Sequence, residues 1–109
     1  MKMLLHALLL APLMVAVASA DEPISNATGN GLMAKYNCQS CHLLDSPSSG
    51  PSLRSIAKKY ASDSEAKLEL ESSIMNGSSG AWGSNTMPAF DIPQENLKKL
   101  VEWILAQWP

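Results

Sequence analysis

The spacing of apolar residues along the chain predicts several short helices. The clearest pattern lies at the C-terminus, where apolar residues recur every three or four positions from Leu97 to Trp108. This spacing places one apolar stripe along an amphipathic helix, with the charged side chains on the opposite face. Pro93 stands where this helix begins, because proline is tolerated in a first helical turn. The stripe consists of Leu97, Leu100, Val101, Ile104, Leu105 and Trp108.

Two shorter helices are predicted in the first half of the domain. Residues 21–30 are polar and indicate a loose N-terminus, so the first helix is expected over about residues 30–36. Asn37 follows it, and asparagine tolerates the left-handed backbone that often ends a helix. After a Ser/Pro/Gly-rich loop at 45–51, apolar residues at helical spacing predict the second helix. They are Leu53, Ile56, Ala57 and Tyr60.

A third helix is predicted between a capping signal and a glycine. Ser62 and Glu65 have the spacing of a capping box, in which a serine begins the helix and a glutamate follows three residues later. Gly77 is expected to end the helix. Residues 78–88 are rich in Gly and Ser and predict a loop, and the chain contains no convincing strand. The predicted fold class is therefore all-α, with about four short helices.

Residues 1–20 have the pattern of a secretory signal peptide. A basic start is followed by an almost wholly apolar run at 3–17 and by small residues at 18–20. We expect cleavage before Asp21, which leaves a single domain at 21–109. The alternative is a retained membrane anchor, but the apolar run is shorter than the roughly 20 residues that span a bilayer.

The composition of the mature part indicates a small, mildly acidic, soluble protein. Without the leader it has 89 residues, with seven Lys/Arg and ten Asp/Glu, so its formal charge is about −3. The basic residues are few and form no stripe with aromatic residues, which argues against nucleic-acid binding. A core of this size often needs a disulfide, a metal or a cofactor to form a stable fold.

Residues 38–42, Cys-Gln-Ser-Cys-His, form the C-x-x-C-H signature of covalent haem attachment. The i, i+3 spacing places the Cys38 and Cys41 sulfurs on one side of a turn, where each can form a thioether with one haem c. His42 is then an axial ligand of the iron. A thioredoxin-like redox pair is the first alternative, but the chain lacks the βαβ pattern of that fold. A zinc site is weaker, because the mature chain offers only two cysteines and one histidine.

A second axial ligand, if the protein supplies one, is expected to be a methionine. His42 is the only histidine of the mature chain, which excludes two histidines, and the soft thioether is the next choice. Met33 lies on an apolar helical stripe and is expected to fill the core, and Met75 in a last helical turn is expected to pack. Met87 lies in an irregular loop directly before Pro88, so it is the preferred ligand.

Further motifs accompany the haem signature, and together they resemble one family. They are Gly50-Pro51, the segment 76–83 (Asn-Gly-Ser-Ser-Gly-Ala-Trp-Gly), Met87-Pro88 and the helix bearing Trp103. With C-x-x-C-H, they resemble the small bacterial class I cytochromes c, in particular the cytochrome c-551/c-552 group. The resemblance implies the cytochrome c fold, with the helices wrapped around one haem. It also implies a monomeric periplasmic electron carrier and no enzymatic activity.

The resemblance assigns roles to individual residues. The Pro51 carbonyl resembles the acceptor of a hydrogen bond from the axial histidine, and Trp82 resembles the tryptophan that hydrogen-bonds a haem propionate. The ligands implied are His42 and Met87. Three positions depart from the family: Phe90 replaces a common asparagine near the ligand methionine, Ser73 replaces a basic residue near a propionate, and Asn37 replaces a usual glycine.

The expected partners are other redox proteins that dock transiently. Family resemblance implies a membrane quinol-oxidising complex as donor and a terminal reductase, oxidase or peroxidase as acceptor. No stable membrane anchor is expected after cleavage. Three alternatives stay open: a haem enzyme or gas sensor, a thiol–disulfide protein, and a thylakoid-lumen carrier of the cytochrome c-six kind.

Overall fold

The computed structural model describes residues 1–16 and 22–109, and within them it contains four α-helices and one two-stranded hairpin. The predicted cleavage signal at residues 18–20, with Asp21 after it, lies outside the described residues. No helix in the described part is long and apolar enough to cross a membrane. The elements are α1 (Asn26–Lys35), a 3-10 turn (Cys38–Ser40), α2 (Leu53–Lys59), α3 (Ala66–Asn76), β1 (Ser78–Gly80), β2 (Gly83–Met87) and α4 (Gln94–Leu105).

Helix α4 is the centre of the domain. The other three helices, α1, α2 and α3, all pack against it. The interior side chains of α4 at Leu97, Leu100 and Val101 are at most 1% exposed. The apolar stripe predicted from the sequence is therefore the core of the protein, and the mostly helical fold class is confirmed.

Two tryptophans of the C-terminal segment differ from the predicted stripe. Trp108 was expected on it, but α4 ends at Leu105 and the Trp108 ring is exposed beneath the Lys58 ammonium, 5.0 Å from the ring centroid. Trp103 lies beside the predicted stripe, yet it is buried. The reason is that three helices surround α4, so the buried arc of this helix is wider than a single stripe.

Helix α1 begins earlier than the apolar pattern predicts. The Ser25 hydroxyl accepts a hydrogen bond from the Thr28 backbone N–H at 3.1 Å, which is an N-cap, so Asn26 to Asn30 are helical instead of loose. Gly29 then faces α4 so closely that a Cβ there would lie 2.1 Å from Cδ2 of Trp103. Only a glycine allows the two helices to meet at this point.

The predicted capping box of α3 is wrong, whereas its predicted end is confirmed. The helix starts at Ala66, and Glu65 at the N-cap makes no side-chain capping bond. Instead, Asp63 Oδ1 accepts a hydrogen bond from the Glu65 backbone N–H at 2.8 Å, which forms a turn before the helix. Gly77 ends α3 with φ +78°, in the region that glycine favours.

The prediction of a strand-free loop over residues 78–88 is also wrong. Strands β1 and β2 pair antiparallel, with Ser78 opposite Met87 and an irregularity before the turn. Gly80 and Gly83 flank that turn and have positive φ values of 83° and 107°. Most side chains of the hairpin are exposed, so no alternation of apolar and polar residues marks the strands in the sequence.

Candidate haem site

The C-x-x-C-H segment forms one tight turn directly after α1. Asn37 has φ +57° and ψ +29°, the left-handed conformation expected of it, and it turns the chain into the 3-10 segment. The Cys41 and His42 backbone N–H groups then both donate to the Cys38 carbonyl, at 3.2 and 3.0 Å. The Ser40 hydroxyl donates to the Asn37 carbonyl at 2.8 Å. Both cysteines and the histidine are thus held in a single turn.

The two thiols are free and half-buried. Burial raises the pKa of the Cys38 thiol, and a backbone hydrogen bond opposes this effect in part. A redox-active C-x-x-C pair has the opposite property, because its attacking cysteine needs a lowered pKa to be a thiolate. The environment of Cys38 therefore favours the neutral form of this thiol over the thiolate.

The His42 ring is oriented by the loop that follows it. Its Nδ1 lies 2.7 Å from the Pro51 carbonyl oxygen, which is the contact that the family resemblance implies. A carbonyl only accepts hydrogen bonds, so Nδ1 carries the proton and Nε2 has a free lone pair for a metal. Gly50 lies against the ring, where a Cβ would be 2.6 Å from Cε1 of His42. The imidazole is therefore fixed both in tautomer and in position.

Backbone hydrogen bonds hold this loop in place. The Gly50 N–H donates to the Cys41 carbonyl at 3.0 Å, which joins the end of the loop to the haem-signature turn. The Leu53 N–H donates to the Leu43 carbonyl at 2.9 Å, and the Arg54 N–H donates to the Leu44 carbonyl at 3.1 Å. The Pro51 carbonyl is consequently a fixed point relative to the turn.

The three methionines of the domain occupy different environments. Met33 is 2% exposed in the core, as predicted. Met75 is 48% exposed at the end of α3, so the expectation that it packs in the interior is wrong. Met87 is the last residue of β2, half-buried and packed against the core. Its assignment as a ligand stays a prediction. Unlike Met33 and Met75, which lie in helices, Met87 lies on a strand.

The positions expected near the propionates also have defined surroundings. The Trp82 ring lies at the hairpin turn with the Lys59 ammonium 4.7 Å from its centroid, and it is partly exposed. Ser73 on α3 is half-buried and, as the sequence indicates, supplies no charge. Phe90 packs against the core, and its backbone N–H donates to the Ile74 carbonyl at 2.8 Å. The propionate role of Trp82 stays a prediction.

A cleft of about 560 Å³ lies beside His42, and nothing in the sequence indicates it. This volume falls in the range of small-molecule and cofactor sites. Its apolar wall includes Met33, Leu53 and Trp103, and Trp103 Nε1–H donates to Asn26 Oδ1 at 3.0 Å. The fit to a covalently attached haem comes from the turn itself, which holds two thiols beside an imidazole whose Nε2 is available. Cys38, Cys41, Met87 and Trp82 all lie outside the lining of this cleft.

A small, mostly helical domain with this turn defines the class of c-type cytochromes, and known proteins agree. A family model described as cytochrome C oxidase, cbb3-type, subunit III matches residues 25–104. Cytochrome c-552 of Nitrosomonas europaea is 40% identical over 75 residues, which cover 68% of this chain and 73% of that protein. Cytochrome c-551 of Stutzerimonas stutzeri is 36% identical over 89 residues, which cover 82% and 86%.

The solved structures give the same result. The crystal structure of wild-type Nitrosomonas europaea cytochrome c552 aligns with a TM-score of 0.69 and 38% identity, over 72% of this chain and 98% of that one. The chain therefore belongs to the small class I cytochromes c of the c-551/c-552 group. These are electron-transfer proteins, not enzymes, and membership implies a covalently bound haem c.

Proposed function

We propose that this protein carries single electrons in the periplasm by means of one haem c attached through Cys38 and Cys41, with His42 and Met87 as axial ligands. The observation that carries the proposal is the turn that holds both thiols beside His42, whose Nδ1 lies 2.7 Å from the Pro51 carbonyl oxygen. When bound, haem c supplies one-electron chemistry through an iron that alternates between Fe(II) and Fe(III).

Each residue of the site has a separate task in this proposal. Cys38 and Cys41 fix the cofactor to the polypeptide, so that no dissociation competes with electron transfer. His42 binds through Nε2, and the Nδ1–H bond to Pro51 makes it a stronger ligand. Met87 would be the second protein ligand through its thioether sulfur, which would raise the reduction potential. A site with two protein ligands has no position for substrate, which favours an electron carrier over a haem enzyme or gas sensor.

Trp82 completes the proposed cofactor site. Its indole N–H is assigned to a haem propionate, and the Lys59 ammonium stacks on the ring.

The cellular setting follows from residues 1–20, proposed as a signal peptide that is removed on export. The mature monomer then moves between a membrane quinol-oxidising complex and a terminal reductase, oxidase or peroxidase. Electron-transfer partners must separate quickly, so the docking interface is expected to be small for a protein–protein interface, with less than about 1,200 Å² of surface buried in total. Membership of an electron-carrier family supports this arrangement.

A pair of methionine variants tests the ligand assignment. In the natively matured oxidised protein, Met87 ligation predicts a weak near-infrared sulfur–iron charge-transfer band. Met87→Ala should abolish that band and lower the reduction potential, because a thioether ligand favours the ferrous form. Met75→Ala is the matched control, since Met75 is an exposed methionine elsewhere in the domain, and it should keep the band. Loss of the band in Met75→Ala alone would transfer the assignment to Met75.

Two further measurements separate the alternatives. The mass of the natively produced protein should exceed that of the cleaved polypeptide by one haem, and a colourless protein of bare polypeptide mass would reject the proposal. Carbon monoxide added to the reduced protein should bind poorly while Met87 holds its position. Ready binding by the native reduced protein would instead favour a haem enzyme or gas sensor.

A further inference from the structure

Apart from Met87 itself, which packs against the core, the hairpin that carries it has few contacts with the helices. Helices α1, α2 and α3 each pack against α4, whereas β1 and β2 contact chiefly each other. The pairing of the two strands is also irregular, and it leaves Ser84 and Asn85 opposite no residue of β1. Single side-chain contacts therefore contribute more to the position of this hairpin than they do in the helical part.

One of these contacts joins the hairpin to the loop that orients His42. The Asn85 side-chain N–H donates to the Ser49 carbonyl, with 2.9 Å between nitrogen and oxygen. Asn85 lies two residues before Met87 on β2. Ser49 lies two residues before Pro51, whose carbonyl oxygen lies 2.7 Å from Nδ1 of His42. A single hydrogen bond thus connects the segments that bear the two proposed axial ligands.

From this connection we infer that Asn85 is a positioning residue that keeps the Met87 strand close to the His42 loop. The inference rests on the proposed function, because it concerns how firmly Met87 holds its axial position. The loop is the fixed partner, since the Gly50 N–H ties it to the Cys41 carbonyl at 3.0 Å. Strand β2 is the partner that moves when the bond is removed.

The contacts at the turn of the hairpin do not replace this bond. At the turn, the Lys59 ammonium lies 3.5 Å from the Ala81 carbonyl oxygen and 4.7 Å from the centroid of the Trp82 ring. Lys59 belongs to α2, so its contacts attach the turn of the hairpin to a helix. They do not determine the distance between β2 and the His42 loop. Loss of the Asn85 bond should therefore act on Met87 specifically.

Competition by added imidazole measures how easily Met87 is released in the natively matured oxidised protein. Asn85→Ala removes the donor, and imidazole should bind about two- to ten-fold more tightly, as expected for one neutral hydrogen bond. Asn85→Asp keeps the shape but places a carboxylate against the Ser49 carbonyl, so at neutral pH the gain in affinity should be larger still. Ser84→Ala is the matched control on the same strand, and its imidazole affinity should equal that of the wild type.

The Asn85→Asp variant adds a readout that a general loss of packing would not change. Below its pKa, ordinarily about 3.9, the carboxyl carries a proton that it can donate to the Ser49 carbonyl. Imidazole is itself protonated at that pH, so the comparison uses carbon monoxide binding to the reduced protein, because carbon monoxide does not titrate. Relative to wild type at the same pH, the carbon monoxide affinity of Asn85→Asp should then return toward the wild-type value. Equal affinities in wild type, Asn85→Ala and Ser84→Ala, or no recovery of Asn85→Asp at low pH, would overturn the inference alone. A wild-type protein that lacks the near-infrared band would overturn the proposed function and this inference with it.

Discussion

Two glycines of α1 should respond oppositely to the same substitution, because only one of them faces another helix. At Gly29 a Cβ would lie between 2.1 and 2.3 Å from three ring atoms of Trp103. At Gly31, on the exposed side of α1, nothing lies within 4 Å of the added Cβ. Alanine improves helix propensity equally at both positions, so the comparison isolates the contact between α1 and α4.

The magnitudes follow from these distances. Replacement of glycine by alanine inside a helix gains about 0.5–1 kcal/mol in free energy of unfolding, and Gly31→Ala should show this gain. At Gly29 the ring must move by about 1.4 Å to reach ordinary carbon–carbon contact. Such overpacking costs about 1–3 kcal/mol. Displacement of Trp103 also weakens its hydrogen bond to Asn26, worth about 1 kcal/mol. Gly29→Ala should therefore lose about 1–3 kcal/mol net.

Thermal unfolding of the natively matured variants, followed by far-ultraviolet circular dichroism, measures both effects. In a domain of this size each kcal/mol shifts Tm by about 4–8 °C. The Tm of Gly31→Ala should rise and that of Gly29→Ala should fall, so the two variants differ in sign as well as in size. If Gly29→Ala were as stable as the wild type, α1 and α4 would not cross at the distance described. A loss of stability in Gly31→Ala would contradict the helix-propensity part of the reasoning.

Two other predictions concern the cofactor site itself. Gly50→Ala places a Cβ 2.6 Å from Cε1 of His42, which should displace the ring and weaken its hydrogen bond to Pro51. The imidazole then becomes a weaker ligand, so the reduction potential measured by voltammetry should rise. Ser48→Ala in the same loop is the control and should leave the potential unchanged. Replacement of Cys38 and Cys41 by alanine should leave much of the polypeptide disordered, because the core is small without its cofactor; full helicity by circular dichroism would refute this.

The parts of the fold that the sequence predicted are those determined by local chemistry. Asn37 adopts the left-handed conformation, and Gly77 ends α3, because few other residues fit these backbone angles. The C-x-x-C-H turn and the apolar stripe of α4 are likewise predicted by the spacing of residues in the sequence alone. In each case the signal and its structural cause lie within a few residues of each other.

The parts that were missed depend on contacts between distant segments. Trp103 is buried because α1 presents Gly29 to it, and neither residue indicates the other in the sequence. The hairpin has mostly small polar residues, whose strand propensity is low, so only its pairing reveals it. The bond from Asn85 to Ser49 spans 36 positions and leaves no periodic trace. Site geometry of this kind requires a three-dimensional structure.

The two sides of the proposed haem site differ in how they are built. On the His42 side, backbone hydrogen bonds fix the loop, and the bond between Gly50 and Cys41 ties it to the haem-signature turn. On the Met87 side, Met87 itself packs against the core, but the rest of the hairpin is held by exposed side-chain contacts and packs little against the helices. Exposed hydrogen bonds open at lower free energy than a buried core does. The methionine side should therefore open before the rest of the domain unfolds, so Asn85 should tune the strength of the proposed bond between Met87 and the iron with little effect on the helices around α4.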